Sequence, residues 1–230
     1  MFNRFDLYAP VHKGIRLALS GLCYQAGSVD SSDDERVTSF IKEFRQVAII
    51  LEAHSRDEDA NINESYEKFA PETLLSLEEE HCELEQKLDQ LIELVNQLES
   101  KKHNPIEQKK IWYQIGKDLN RFTADYLNHL QSEEGPGMKA LWENLTDDQL
   151  KVISINIRSS IPPQTMSIFM HYMIPAISHQ ERLEMYSDMK RFAPKEAYAG
   201  MLSLAESRLD QKSWVKLQTA LEEIKSEGVK

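Results

Sequence analysis

Two histidine-glutamate pairs with the same spacing constrain the fold of this chain most strongly. His54 is followed four residues later by Glu58, and His129 is followed four residues later by Glu133. On an α-helix, residues four apart lie on one face, one turn apart. Each pair can therefore offer a nitrogen and an oxygen to a common point, which suits a fold of long helices that face one another.

Both pairs lie near the ends of long segments rich in helix-forming residues. Four such segments are separated by short breaks, and no alternating run typical of a strand is evident. Short breaks between long helices favour an antiparallel, up-down-up-down four-helix bundle. The sequence therefore predicts an all-α fold whose bundle helices cover residues 11–25, 34–59, 72–101 and 106–134.

After the bundle the sequence changes character. Thr146 and Asp147 are suited to cap a new helix, and prolines then divide the chain into shorter helical stretches. We expect residues 1–145 to form the bundle and residues 146–230 to form a C-terminal helical extension packed on it.

In that topology two more histidines join the pairs at one end of the bundle. His12 lies at the start of the first helix and His81 in the early part of the third. His81 lies roughly 21 residues before the turn between the third and fourth helices and His129 roughly 24 after it, so at ~1.5 Å per residue their levels differ by ~5 Å. Six side chains are therefore predicted to lie in one layer: His12, His54, Glu58, His81, His129 and Glu133.

The chemistry of these six groups points to a metal centre. A mixture of imidazole and carboxylate ligands favours iron, manganese or zinc over calcium or magnesium, which prefer oxygen ligands alone. Four-helix bundles use inward-pointing carboxylate and histidine side chains at helical spacing to hold two metal ions. A metal site at one end of the bundle is thus the main functional prediction.

The order of these residues resembles the haemerythrin-like cation-binding domain, which has a histidine, an HxxxE motif, a further histidine and a second HxxxE motif. The flanking text agrees, with VHKGIR around His12, EEEHCELE around His81 and HLQSEE at the second HxxxE. The resemblance implies a non-haem centre of two Fe ions, bridged by Glu58 and Glu133 and capped by the histidines. Mn or Zn stays open as the native metal, because site geometry and cellular supply select among these ions.

Three further residues are candidates for an additional ligand or for a hydrogen bond to the ligands: Tyr8, Glu85 and Asp125. Oxygen-carrying haemerythrins have a second histidine one turn after the third-helix histidine, where this chain has Glu85. A carboxylate there would favour the ferric state and so weaken the case for reversible oxygen carriage. Structural roles are expected for the remaining histidines, His103, His171 and His179.

The resemblance implies oxygen, redox or iron sensing or handling, with dioxygen or peroxide as the small ligand, by a binding protein rather than an enzyme. Two alternatives stay open. One is a di-iron peroxidase or oxidase, because an open position on such a centre can bind oxygen or peroxide. The other is a helical interaction protein whose metal site is structural or vestigial, with a partner that the sequence does not identify.

The charge balance narrows the expected partners. The chain of 230 residues carries a formal net charge of −11, with a pI near 5.2. This balance argues against binding to nucleic acid and against docking on anionic membranes. The two cysteines, Cys23 and Cys82, form no CxxC motif, and the N-terminus lacks the apolar stretch of a signal peptide. We therefore expect a cytoplasmic protein.

Overall fold

The computed structural model describes residues 4–100 and 104–227, and every regular element within these ranges is helical. The N-terminal part contains α1 (Ala9–Ser28), α2 (Asp34–Asn61), α3 (Asn63–Phe69), α4 (Pro71–Glu99) and α5 (Pro105–Ser132). A π-helical turn (Glu133–Gly137) follows, and then α6 (Met138–Asn144), α7 (Asp147–Ser160), α8 (Pro163–Ala176), α9 (His179–Phe192), α10 (Lys195–Arg208) and α11 (Gln211–Glu227). The predicted all-α class is confirmed for the described residues, and no helix among them is both long and apolar enough to cross a bilayer.

The four long helices α1, α2, α4 and α5 correspond to the four predicted bundle helices, with ends that differ by a few residues. Their starts follow local chemistry. Asp33 accepts a hydrogen bond from the backbone N–H of Arg36 at the start of α2, and Asn104 accepts from those of Ile106 and Glu107 at the start of α5. The predicted end of the third bundle helix at Lys101 lies outside the described residues.

The long helices contact one another around a common core. Helix α1 packs against α2 and α5, and α4 packs against the same two helices. Apolar side chains at three- and four-residue spacing fill the space between them. The largest fully buried members of this core are Ile15, Leu19, Leu22, Phe40, Phe44, Ile50, Leu91 and Phe122.

The break predicted between the second and third bundle helices contains a helix of its own, α3. Ile62 and Tyr66 lie four residues apart, and both side chains are almost fully buried in a cluster that includes Tyr8, Met138 and Leu141. Burial of this small apolar face stabilises a helix too short to be stable alone. The segment therefore covers one end of the bundle.

The fourth bundle helix was predicted to end at residue 134, just before Gly135-Pro136-Gly137, but the chain does not leave the helical path there. The chain continues through the π-helical turn directly into α6. Pro136 has no backbone N–H to satisfy, and a wider turn relieves the clash of its ring with the preceding turn. Glu133 is the first residue of this turn, so the irregular turn begins at a candidate metal ligand.

The C-terminal helices pack on the bundle through α7 and α8. Helix α8 contacts α1 and α2, and its Phe169 and Tyr172 belong to the bundle core. A Cβ added at Gly14 would lie 2.8 Å from Met173 Cγ and 3.1 Å from Met173 N, so glycine permits the close approach of α1 and α8. Helices α8 to α11 enclose a third apolar cluster that includes Tyr186 and Leu217.

Candidate metal centre

All six predicted ligands meet at one end of the bundle. His12 comes from the first turn of α1, His54 and Glu58 from the end of α2, and the others from α4, α5 and the π-helical turn. Their potential ligand atoms form two groups, and within each group these atoms lie within 4.8 Å of one another. The first group is His12, His54, Glu58 and Glu133, and the second is Glu58, His81, His129 and Glu133.

Glu133 divides its two oxygens between two histidine pairs. Its Oε2 lies 3.2 Å from His12 Nε2 and 4.0 Å from His54 Nε2. Its Oε1 lies 3.1 Å from His129 Nε2 and 3.7 Å from His81 Nε2. We call His12 and His54 the first histidine pair, and His81 and His129 the second. The carboxylate of Glu133 thus lies between the two pairs, with one oxygen turned to each.

Glu58 repeats this arrangement. Its Oε1 lies 3.3 Å from His54 Nε2, in the first pair, and its Oε2 lies 3.6 Å from His81 Nε2, in the second. Both carboxylates therefore face both histidine pairs. This is the geometry needed to bridge two neighbouring candidate metal positions, one beside each pair. Each position is surrounded by two imidazole nitrogens and two carboxylate oxygens.

The centre is buried, and most of its polar atoms have no hydrogen-bond partner. Glu133 is 1% exposed, and Glu58, His12, His54 and His129 are also buried, while His81 is slightly more open. The unpartnered buried atoms include the Nε2 atoms of all four histidines, both oxygens of Glu58 and Oε2 of Glu133. Leaving such groups unpaired costs free energy. Cations bound at the centre would interact favourably with all of these atoms and so offset that cost.

The outer nitrogens of two histidines are held by carboxylates. His12 Nδ1 lies 2.9 Å from Glu134 Oε1, and Arg16 donates to both oxygens of Glu134 at 2.7 and 2.9 Å. His129 Nδ1 lies 2.8 Å from Glu80 Oε2, and Ser132 Oγ donates to the other oxygen of Glu80 at 3.0 Å. A carboxylate at Nδ1 keeps a proton on that nitrogen and leaves Nε2 as the nitrogen that can bind a metal.

Sequence reasoning missed these supporting acids. Glu134 follows the candidate ligand Glu133, and Glu80 precedes the candidate ligand His81. Asp59 follows Glu58 and lies 3.6 Å from His81 Nδ1. Each acid is thus next to one candidate ligand in the chain but serves a histidine on another helix. Acidic residues that flank a candidate ligand are the signal that could have found them.

Of the three predicted accessory residues, one lies at the centre and two do not. The ring of Tyr8 stacks on that of His12, with 5.1 Å between ring centroids and 29° between planes. Glu85 is exposed, lies outside both ligand groups and lines a surface groove between α2 and α4. Asp125 forms an ion pair with Lys87 at 3.0 Å, while Glu80 takes the position beside His129.

The remaining histidines lie away from the centre. His171 is in α8, where burial lowers its pKa, and His179 begins α9. Neither belongs to a ligand group. His103 lies outside the described residues.

A pair of buried tyrosines lies beside His12. Tyr8 Oη and Tyr66 Oη are 2.8 Å apart and share a hydrogen bond, and both residues are 2% exposed. Burial raises the pKa of Tyr8 well above its usual value, and Tyr66, Glu58 and Glu133 raise it further. Burial likewise raises the pKa of Tyr66, so both phenols keep their protons.

The histidines of the centre differ in the direction in which their pKa values are shifted. Burial opposes protonation of His12, but contacts with Glu133 and Glu134 outweigh it and raise its pKa to about 9. Burial is likewise outweighed at His81, where Glu133 and Glu58 raise the pKa to about 10. Burial and the nearby His12 lower the pKa of His54 to about 3. Without a metal, protons therefore supply part of the positive charge that the carboxylates require.

The pKa values of the two central carboxylates, Glu58 and Glu133, are also shifted in opposite directions. Burial raises the pKa of Glu58 well above its ordinary value, and repulsion from Glu133 adds to this shift. Burial would raise the pKa of Glu133 too, but contacts with His12, His129 and His81 hold it well below its ordinary value. Ionising both buried carboxylates together is unfavourable without a nearby positive charge. This behaviour is expected at a site that binds a cation.

Comparison with known proteins agrees with this geometry. A family model described as the hemerythrin HHE cation binding domain matches residues 5–136, more than half of the chain. The match includes all six predicted ligands. No curated protein and no solved structure gives a significant match to the chain.

Proposed function

Because the chain belongs to the hemerythrin HHE cation-binding family, we propose that it binds two non-haem iron ions at this centre. One ion would be held by the first histidine pair and the other by the second. Glu58 and Glu133 would bridge the two ions. The observation that carries the proposal is the division of each carboxylate, whose two oxygens face different histidine pairs.

The number and type of ligands fit iron, manganese or zinc, and these metals differ in the coordination positions that they would leave open. Each position has two imidazole nitrogens and two carboxylate oxygens. Four ligands complete the tetrahedral coordination that zinc prefers in structural sites. Iron or manganese would keep open positions, as non-haem iron centres do where they bind small molecules. Mn or Zn are the alternative occupants of the same residues.

Open positions on buried iron suit a protein that binds or responds to oxygen, redox state or iron supply. Two iron ions held in this way would supply reversible binding or reduction of oxygen or peroxide. The surrounding protein residues would orient the ligands and limit the access of water. Glu134 and Glu80 orient His12 and His129, and the burial of Glu58 and Glu133 limits the access of water.

The proposal includes the directions of the long helices. An up-down-up-down order brings the start of α1, the end of α2, the early part of α4 and the end of α5 to one end of the bundle. The meeting of His12, His54, His81 and His129 supports this order, because these residues occupy those four parts of the chain.

An enzyme is the second candidate function. A peroxidase or oxidase would use the same open positions to activate peroxide or oxygen. It would also need a proton donor beside the reacting molecule, and the protonated phenols of Tyr8 and Tyr66 favour this alternative. Turnover of peroxide by the iron-loaded protein, lost in Glu58→Ala, would distinguish an enzyme from a sensor or carrier.

Metal content of purified variants tests the proposed site. His54→Ala and Glu133→Ala should each lower the bound iron sharply, because Glu133 contacts all four histidines and His54 is half of one pair. His171→Ala is the matched control, since this histidine lies outside both groups, and its iron content should equal that of the parent protein. Equal iron in all three variants would contradict the proposed site and favour an interaction protein with a vestigial centre.

A further inference from the structure

The hydrogen bond between Tyr8 and Tyr66 leaves one proton without a partner. Two hydroxyl groups carry two protons, and the single bond between their oxygens uses only one of them. In the described residues the structure gives neither hydroxyl another hydrogen-bond partner. Because both side chains are buried, bulk water has little access to the remaining O–H group. A buried donor of this kind calls for an acceptor that arrives from outside.

The position of this donor is fixed by the ligand-bearing helices. Tyr8 directly precedes α1, and its ring stacks on His12, a member of the first histidine pair. Tyr66 comes from α3, and its hydroxyl is hydrogen-bonded to that of Tyr8. Glu58 and Glu133 lie close enough to act electrostatically on both phenols. The hydroxyl pair therefore lies within electrostatic range of both candidate bridging carboxylates.

Gly137 keeps room for this hydroxyl pair. A Cβ added at Gly137 would lie 2.7 Å from Tyr66 Oη and 3.3 Å from the carbonyl oxygen of Ser132. Gly137 ends the π-helical turn that begins at Glu133. The same irregular turn thus positions a candidate bridging carboxylate at its start and makes space for the tyrosine pair at its end.

We propose that Tyr8, oriented by Tyr66, donates a hydrogen bond to a small anion bound at the metal centre. The inference rests on the proposed function, because the anion needs a metal ion with an open position. The ligand class is a small anion with a hydrogen-bond acceptor near the metal, such as azide, hydroxide or hydroperoxide. Tyr8 acts here as a residue that selects and positions the ligand, with Tyr66 as its support.

Azide is the probe that tests this role. The parent protein and its variants are loaded with iron, their iron content is measured, and azide is titrated while the azide-to-iron absorption band is followed. Hydrogen bonds to charged groups are strong enough that losing one should weaken azide binding by about tenfold or more in Tyr8→Phe. Tyr66→Phe should show a smaller loss, because Tyr8 keeps its proton but loses its orientation.

The control is Tyr172→Phe, which makes the same change at a buried tyrosine of α8 outside the centre. Its azide affinity should equal that of the parent protein. A second readout separates a hydrogen bond from a packing effect. The infrared stretch of bound azide should shift when the parent protein is moved from H₂O to D₂O, and this shift should disappear in Tyr8→Phe.

The outcomes are distinguishable from failure of the proposed function. A parent protein that holds no iron would overturn both proposals, whereas iron-loaded protein that binds no azide would overturn this one alone. Unchanged azide affinity and an unchanged D₂O shift in iron-loaded Tyr8→Phe would also overturn it. If Tyr8→Phe does not fold or hold iron, Tyr66→Phe decides, and an affinity and D₂O shift equal to those of the parent protein would contradict the inference.

Discussion

His129 and Glu80 are joined through the outer face of the imidazole, where Nδ1 of His129 lies 2.8 Å from Oε2 of Glu80. The two residues are 49 positions apart in the sequence and come from neighbouring helices, α5 and α4. Ser132 holds the second oxygen of Glu80, so the carboxylate is fixed at both ends. The orientation of a candidate ligand on α5 thus depends on a residue of α4.

Removing this support should weaken metal binding without removing a ligand. We expect Glu80→Ala to lower metal affinity by about 10–100-fold, the usual effect of losing a carboxylate that orients a metal-binding histidine. Titration of the metal-free protein with ferrous iron under anaerobic conditions measures this loss. Glu79→Ala is the control, because Glu79 is the exposed neighbour of Glu80. Equal losses in the two variants would point to a general charge effect instead.

The close contact of α1 with α8 predicts a stability effect at Gly14. A methyl group there would meet the backbone as well as the side chain of Met173, and backbone cannot move aside cheaply. We expect Gly14→Ala to lower the free energy of unfolding by about 1–3 kcal/mol, as overpacking does elsewhere. Denaturant unfolding, followed by circular dichroism, measures the change.

Gly21 provides the matched control for this substitution. It lies in the same helix, and a Cβ there would make only an ordinary contact, 3.8 Å from Glu43 Oε1. Gly21→Ala should therefore raise the free energy of unfolding by about 0.5–1 kcal/mol through helix propensity. A stabilising effect at Gly14 of the same size would show that α1 and α8 are not in close contact.

The metal-free protein should lose stability as the pH rises above neutrality. The pKa values of His12 and His81 are raised to about 9 and about 10 in the folded protein, from about 6.5 in the unfolded chain. Their contribution is complete below pH 6.5 and is lost as the pH rises through about 9 and 10, because the folded state binds more protons in this window. Melting temperatures measured between pH 6.5 and 10 should fall, and a constant value would contradict these shifts.

Metal binding should release protons from the same groups. His12 and His81 are protonated at neutral pH in the metal-free protein, and a metal ion must displace those protons. Metal affinity should therefore rise from pH 6.5 to pH 8.5, with release of protons detectable by an indicator dye. His171→Ala should leave the release unchanged. Affinity that is independent of pH would argue that the metal does not bind these histidines.

The sequence predicted the helical class and the meeting of the six candidate ligands, because both follow from periodicity and chain length. Helical spacing places His54 with Glu58 and His129 with Glu133, and short connections bring the helix ends together. These regularities hold whatever the detailed packing of the helices. The observed long helices therefore differ from the predicted bundle helices mainly at their ends.

The supporting residues could not be predicted in the same way. A chain neighbour of a ligand points about 100° away from it on its own helix, so its partner depends on which helix packs alongside. Glu80 therefore reaches His129 rather than the adjacent His81. Asp125 has helical spacing to His129, but Lys87 approaches it from α4. The hydrophobic periodicity of a single helical segment does not determine which side chains of neighbouring helices meet.

The central claim is that two bridged iron ions occupy this centre, and the number and magnetic coupling of the bound irons test it most directly. The protein should be loaded with ferrous iron without oxygen, desalted and then oxidised, with iron measured per chain and electron paramagnetic resonance recorded. We expect about two irons per chain, as in other carboxylate-bridged four-helix bundles, and no signal from isolated ferric iron, because bridged ferric ions couple. One iron per chain with the signal of an isolated ferric ion would contradict the bridged centre.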